Sequence, residues 1–288
     1  MNLTINAEML KVGKRWMPYI LFVLLVAGVA VVVWLFGYVA YKEDQNFQEG
    51  QKALRTFAYP WTITALLDNG QFWGTIIFVA IFTSSTMATE YSWGTVRQAI
   101  VHGQSRVSYL TTKLLGTTIV CAAALLAALG VGLLFSAWAS AAAGQAITLD
   151  VPDGPSVPEV GLMVLRAGFT IIPYGLLAFC LAVVGRSTAL GVGGTFVYML
   201  GEGIVVAILK GLGGTWSDLR DLMIGHNAAS LLAVNRIGNL EYNTLAAREL
   251  PRADELPDVW IATLVLLLYC ALFIAISFAV FQRRDIRG

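Results

Sequence analysis

Long apolar runs alternate with short polar breaks along the whole chain. Six runs reach or approach the roughly 20 residues needed to cross a bilayer as a helix. They fall at about 18–41, 72–87, 114–140, 166–184, 188–209 and 259–281. Pro18 opens the first, where no helical N–H is needed. The second is the shortest and ends in Thr83, Ser84, Ser85 and Thr86. Those hydroxyls either line a polar path or bond back to their own helix. The third is rich in Ala, Leu and Gly, which permits close helix approach. The fourth holds Pro173, a predicted kink. The turn Gly185-Arg186-Ser187 leads into the fifth, which carries several glycines and Glu202.

The breaks have their own patterns. Before the first run, Leu3, Leu10 and Met17 stack on one side of a helical wheel, with Met9 and Trp16 beside them. Glu8, Lys11 and Arg15 fall opposite, and Lys14 sits near the apolar stripe. Residues 1–17 are therefore predicted to lie as an amphipathic helix in the headgroup layer. The loop at 141–165 contains Asp150, Asp153 and Glu159, and Pro152, Pro155 and Pro158 stiffen it. The segment 210–258 is too long for a plain connection. Its short apolar pieces, 219–224 and 228–234, predict short helices at the membrane face.

Composition supports the pattern. Of 288 residues, 57% are hydrophobic and 13% charged, against about 25% charged in soluble domains. The expected fold is an all-α polytopic membrane protein, a single domain over residues 1–288. Net charge is +1, which leaves no nucleic-acid footprint. Cys121, Cys180 and Cys270 all lie in apolar runs without metal-ligand spacing and read as inert thiols.

Six crossings place both termini on one side. Segments on that side hold Lys11, Lys14, Arg15, Arg97, Arg106, Lys113, Arg186, Arg283, Arg284 and Arg287, against only Glu8, Glu90 and Asp285. By the positive-inside rule that side is cytoplasmic, and the protein is expected in the cytoplasmic membrane with 210–258 outside.

Catalytic chemistry is sparse. There is no G-x-x-x-x-G-K-[ST] loop, no H-E-x-x-H and no G-x-S-x-G. His102 and His226 are predicted on opposite sides of the membrane. No enzyme activity or cofactor is expected in the chain itself. Glu202 is an ionisable group inside a span, a functional candidate by its cost. It lies about two turns from the outer end, and the alternative is a helix-packing hydrogen bond.

The break at 90–113 carries the most structure. Gly94-Thr95 ends one helix and starts another, with Thr95 as the predicted N-cap. Residues 96–102 make two turns, Gly103 is a C′ residue, and Ser105 caps the next helix. Val96, Ile100 and Ala99 form a small apolar face beside Arg97. Such a cross-helix is either a docking knob or a capped re-entry loop whose charges fix topology.

The run Glu90-x-x-x-Gly94-Thr95-x-Arg97, followed by Ser105-Arg106 and Lys113, resembles the type-2 ABC-transporter permease family. The detailed match covers this stretch; the six-run order and N-terminal helix extend it loosely. Many members have proline near position 103, where this chain has another helix breaker. The resemblance implies a permease subunit of an ABC exporter, with ATP and Mg on a separate ATP-binding subunit. That partner would dock on 90–113 through Glu90, Gly94, Thr95, Val96, Arg97, Ile100, Gly103 and Arg106. A second permease copy or a related permease would complete the pore, with Ser84, Ser85, Thr86 and Glu202 as path candidates. The competing readings are a secondary transporter using Glu202 and a membrane anchor or sensor whose 210–258 segment binds a partner.

Overall fold

The computed structural model describes residues 2–43, 54, 57–60, 62–67, 71–147, 156–235 and 256–283. All regular elements among them are helical. Besides a single turn at Thr62–Ala65, they are α1 (Asn2–Gly13), α2 (Trp16–Glu43), α3 (Gln71–Ser92), α4 (Thr95–Val101), α5 (Arg106–Ala142), α6 (Val157–Gly185), α7 (Thr188–Leu212), α8 (Ile224–Ala233) and α9 (Val259–Arg283). A 3-10 segment, Gly214–Leu222, precedes α8. The expected Asp150, Pro152, Asp153 and Pro155 loop lies outside the described residues, as do 236–255, Arg284 and Arg287.

Among the described residues, five helices are long and apolar enough to cross a membrane: α2, α5, α6, α7 and α9. Many of their large apolar side chains point outward, as lipid solvation allows: Val23, Leu134 and Leu268 are exposed. α3 is not one of these five. It has 22 residues, but Thr83, Ser84, Ser85, Thr86, Thr89 and Glu90 lower its hydropathy. Apart from the half-buried Thr89, those groups are buried by neighbours instead. α3 packs chiefly on α6 and α7, and also on α2 and α5.

Local chemistry sets the helix ends. Ser105 caps α5, its hydroxyl accepting the Ser108 N–H at 3.2 Å. The Glu159 carboxylate accepts the Ser156 N–H at 2.6 Å at the start of α6. Arg186, at φ +50°, closes α6, and the helix itself continues through Pro173. α2 widens to π geometry over Val31–Val39.

Three apolar clusters fill the bundle. The largest joins α3, α6, α7, α8 and α9 through Ile76, Ile171, Tyr174, Met199, Ile224 and Leu266. A second ties α2 and α5 to Phe57, Leu66 and Met163. The third lies under α4, with Met87, Val96, Tyr109, Leu110, Val183 and Phe281. α7 comes very close to α3 and α6 at Gly191, where an added Cβ would sit 2.3 Å from the Ser84 hydroxyl and 2.9 Å from the Ala178 carbonyl.

Candidate functional site

The break between α3 and α5 folds as a cross-helix pinned at both ends. Gly94 has φ +67° and is the N-cap of α4. Thr95 is therefore the first helical residue and not the cap, a correction to the expected assignment. Only glycine adopts that turn without strain. The Thr95 hydroxyl donates instead to Glu90, at the carbonyl (3.2 Å) and at the carboxylate. The other end is a Schellman motif. Gly103, at φ +90°, donates its N–H to Ile100, and Gln104 donates to Ala99.

The apolar face of α4 turns inward. Val96 is buried, and Ala99 and Ile100 pack on the cluster of Tyr109, Leu110 and Phe281. The expected knob of Val96 and Ile100 is thus spent on holding α4 to the bundle. Apolar burial in this cluster outweighs leaving those side chains free. What faces outward is Arg97, Gln98, His102 and two large apolar groups, Trp93 at 63% exposure and Val101 at 76%. Arg15 lies over the Trp93 ring at 5.0 Å. Arg106 turns away from α4 and caps the end of α9, donating to the Gln282 carbonyl at 2.6 Å.

Beneath α4 lies a buried ion cluster built from four elements. Glu90 is fully buried. Its carboxylate accepts from Arg15 at 2.8 Å, Lys113 at 2.9 Å, Tyr109 at 3.1 Å and Thr95. Lys113, also buried, donates to Glu8 as well. Lys11 Nζ stands 3.7 Å from Glu8 and 4.0 Å from Glu90. Burial by itself pushes the Glu90 carboxyl up. Lys113, the Thr95 hydroxyl and Lys11 override it and hold the group at about 2, below its ordinary 4.5. Three cations thus surround two carboxylates and lock α1, α3, α4 and α5 together.

The polar side of α1 is the side that packs on the bundle. Glu8 and Val12 are buried against the body and Leu10 is exposed. Glu8 and Lys113 stand 105 residues apart in sequence, and their pairing is a contact that sequence spacing alone did not expose. The available signal was Lys113 itself: a cation at the edge of an apolar run needs a partner.

The hydroxyls at the end of α3 divide between helix and neighbours. Thr83 donates to the Val79 carbonyl at 2.8 Å and Thr86 to the Thr83 carbonyl at 2.9 Å. Ser84 donates to Ala178 at 3.3 Å, and Ser85 reaches the Met17 sulfur. All four are buried.

Glu202 lies far from these groups. It is buried on α7 and anchors the start of α8. The Gly225 N–H and the Tyr174 hydroxyl, at 3.3 Å, both donate to it. A carboxylate is well placed there, because the first turn of a helix presents unpaired N–H groups and a positive dipole end. A Cβ on Gly225 would lie 3.0 Å from both the Glu202 carboxylate and the Tyr174 hydroxyl, so glycine permits the approach. His226 sits beside it, 3.4 Å from Asp221, and His102 is the C-cap of α4. Among the described residues no group of three metal-ligating side chains forms.

Apolar helices of spanning length, with buried charge confined to ion-paired or capped positions, define a helical membrane protein. The chain belongs to the family described as "Protein of unknown function (DUF2705)", whose pattern matches residues 29–287. Comparison with curated proteins finds no match.

Proposed function

We propose that this chain is the transmembrane permease subunit of an ABC exporter in the cytoplasmic membrane. α3 makes the sixth crossing, both termini are cytoplasmic, and α4 is the coupling helix. ATP is hydrolysed on a separate nucleotide-binding subunit seated over α4, and two permease copies or a related pair form the pore.

The observation that carries this reading is the Glu90–Lys113–Arg15 ion cluster beneath α4. A force on α4 reaches Glu90 through Thr95, then α5 through Lys113 and α1 through Arg15 and Glu8. A loop that merely re-enters the membrane has no need of such cross-linking. The outward Trp93, Arg97 and Val101 would meet the partner, and Val96 and Ile100 would act from beneath by fixing the orientation of α4.

The test is affinity purification from native membranes. A P-loop ATPase should co-purify with the unaltered chain and be lost with Val101→Asp and Arg97→Glu, while both variants remain folded. Transport by the purified chain alone, driven by a proton gradient and lost in Glu202→Gln, would replace this reading with a secondary transporter.

A further inference from the structure

A long apolar cleft of about 560 Å³ runs between α3, α5 and α6. This volume lies within the roughly 300–1,000 Å³ of ligand pockets. On α5 it is lined from Leu114 to Leu129, and on α6 from Val164 to Phe179. At 1.5 Å rise per residue each wall is about 22 Å long. Its mouth opens sideways: the lining residues Leu126 and Leu165 are 58% and 69% exposed. The neighbouring outer face of α5, with Ile119 and Leu134, is also exposed and apolar.

Such a slot is a poor home for water. Its few hydroxyls already donate to backbone: Thr83 to Val79, Thr117 to Lys113 and Thr118 to Leu114. A stable water needs two to four polar partners, which these walls do not supply. Left empty, the walls would forfeit their dispersion contacts. Within a bilayer the material at hand that is apolar, elongated and free to enter sideways is a hydrocarbon chain.

We infer that the α3–α5–α6 cleft is a binding site for an acyl chain of a membrane phospholipid, which enters laterally between Leu126 and Leu165. The chain substitutes for direct packing along these walls and so couples α5, which holds Lys113, to the central helix α6. This inference needs only the membrane embedding and is independent of the exporter reading.

Gly168 lines the cleft, and a Cβ added there meets no atom within 4 Å. Gly168→Phe should therefore fill the slot without displacing protein. Gly193 on α7 has the same open surroundings outside the cleft and gives the control Gly193→Phe. The full chain is reconstituted in phosphatidylcholine nanodiscs whose lipid carries a mid-chain diazirine, irradiated and mapped by mass spectrometry. Lipid retained through detergent exchange is read in parallel by native mass spectrometry. Phosphatidylcholine should be retained by the unaltered chain and by Gly193→Phe, with adducts at Cys121, Leu125 and Phe169. Both signals should be lost in Gly168→Phe, and in Gly168→Leu if the phenylalanine variant does not fold. Retention and cleft adducts that survive filling would overturn the proposal. So would absence of retained lipid from the unaltered chain, or disulfide formation between Cys121 of two copies, which would make a second chain the occupant.

Discussion

Two of the buried carboxylates in this bundle, Glu90 and Glu202, are kept in opposite ways. Glu90, under α4, is surrounded by Lys113, Arg15 and Lys11. Glu202, on α7, is held by a backbone N–H and a tyrosine hydroxyl. The first arrangement depends on charge: remove a cation and an ion is left buried. The second depends on geometry: any acceptor of the right shape can take the Gly225 N–H. Glu90 therefore joins elements through electrostatics that reach four helices, and Glu202 fastens one short helix to α7 and α6. Under the exporter proposal, this contrast would make α4 the place where force enters and Glu202 a fixed point.

The largest effect should come from breaking the Glu90 cluster. Lys113→Met removes the cation shared by Glu90 and Glu8. Loss of one partner from a buried pair costs about 3–5 kcal/mol. Thermal unfolding in detergent should show that loss, and the double variant Lys113→Met with Glu90→Gln should recover part of it. A single variant as stable as the unaltered chain would mean that the cluster is hydrated and not a lock.

Gly225→Ala tests the geometric side. Its new Cβ would press on Glu202 and Tyr174, both at 3.0 Å. Overpacking of this kind costs about 1–3 kcal/mol. Protection of α8 amides from hydrogen exchange should fall, with α4 unaffected. Equal loss at both ends would show that the two regions are coupled and would weaken the contrast.

Glu202→Gln should do less. The amide oxygen can still accept from Gly225 and Tyr174, so the cost is the difference between charged and neutral hydrogen bonds, about 1 kcal/mol. Expression and unfolding temperature should stay near those of the unaltered chain. A collapse of transport with the fold intact would move Glu202 from anchor to active group.

These contrasts were unevenly legible in the residues. The crossings could be read because lipid demands uninterrupted apolar length, and α2, α5, α6, α7 and α9 meet that demand. The helix breaks at Gly94 and Gly103 were readable for a similar reason: glycine tolerates positive φ. Thr95 misled because a hydroxyl at a helix start usually caps it, whereas here a buried carboxylate competes for that hydroxyl. Val96 and Ile100 made an apolar face in either case, and periodicity cannot say whether such a face turns to a partner or to its own bundle. The Glu8–Lys113 pair lay beyond reach, since no local pattern joins residues so far apart in sequence. The central position of α3 was hidden by its own polarity, which tertiary packing satisfies.

The smallest effect is a predicted absence of change, and its sign follows from Glu90. Its folded value is lowered to about 2 from an ordinary 4.5. The stabilisation it contributes is therefore complete above the unfolded value and is lost only as pH falls from about 4.5 through 2. Between pH 7 and pH 5.5 the unfolding temperature should show no loss attributable to this cluster, and Glu90→Gln should show the same flat profile there. Below about 4.5 the two should converge, because the unaltered chain then begins to lose an ion pair that the variant already lacks. Divergence on acidification would mean that Glu90 is protonated in the folded chain near neutrality. It would then be held by hydrogen bonds and not by charge, and the electrostatic lock beneath α4 would have to be assigned to Glu8 and Lys113 alone.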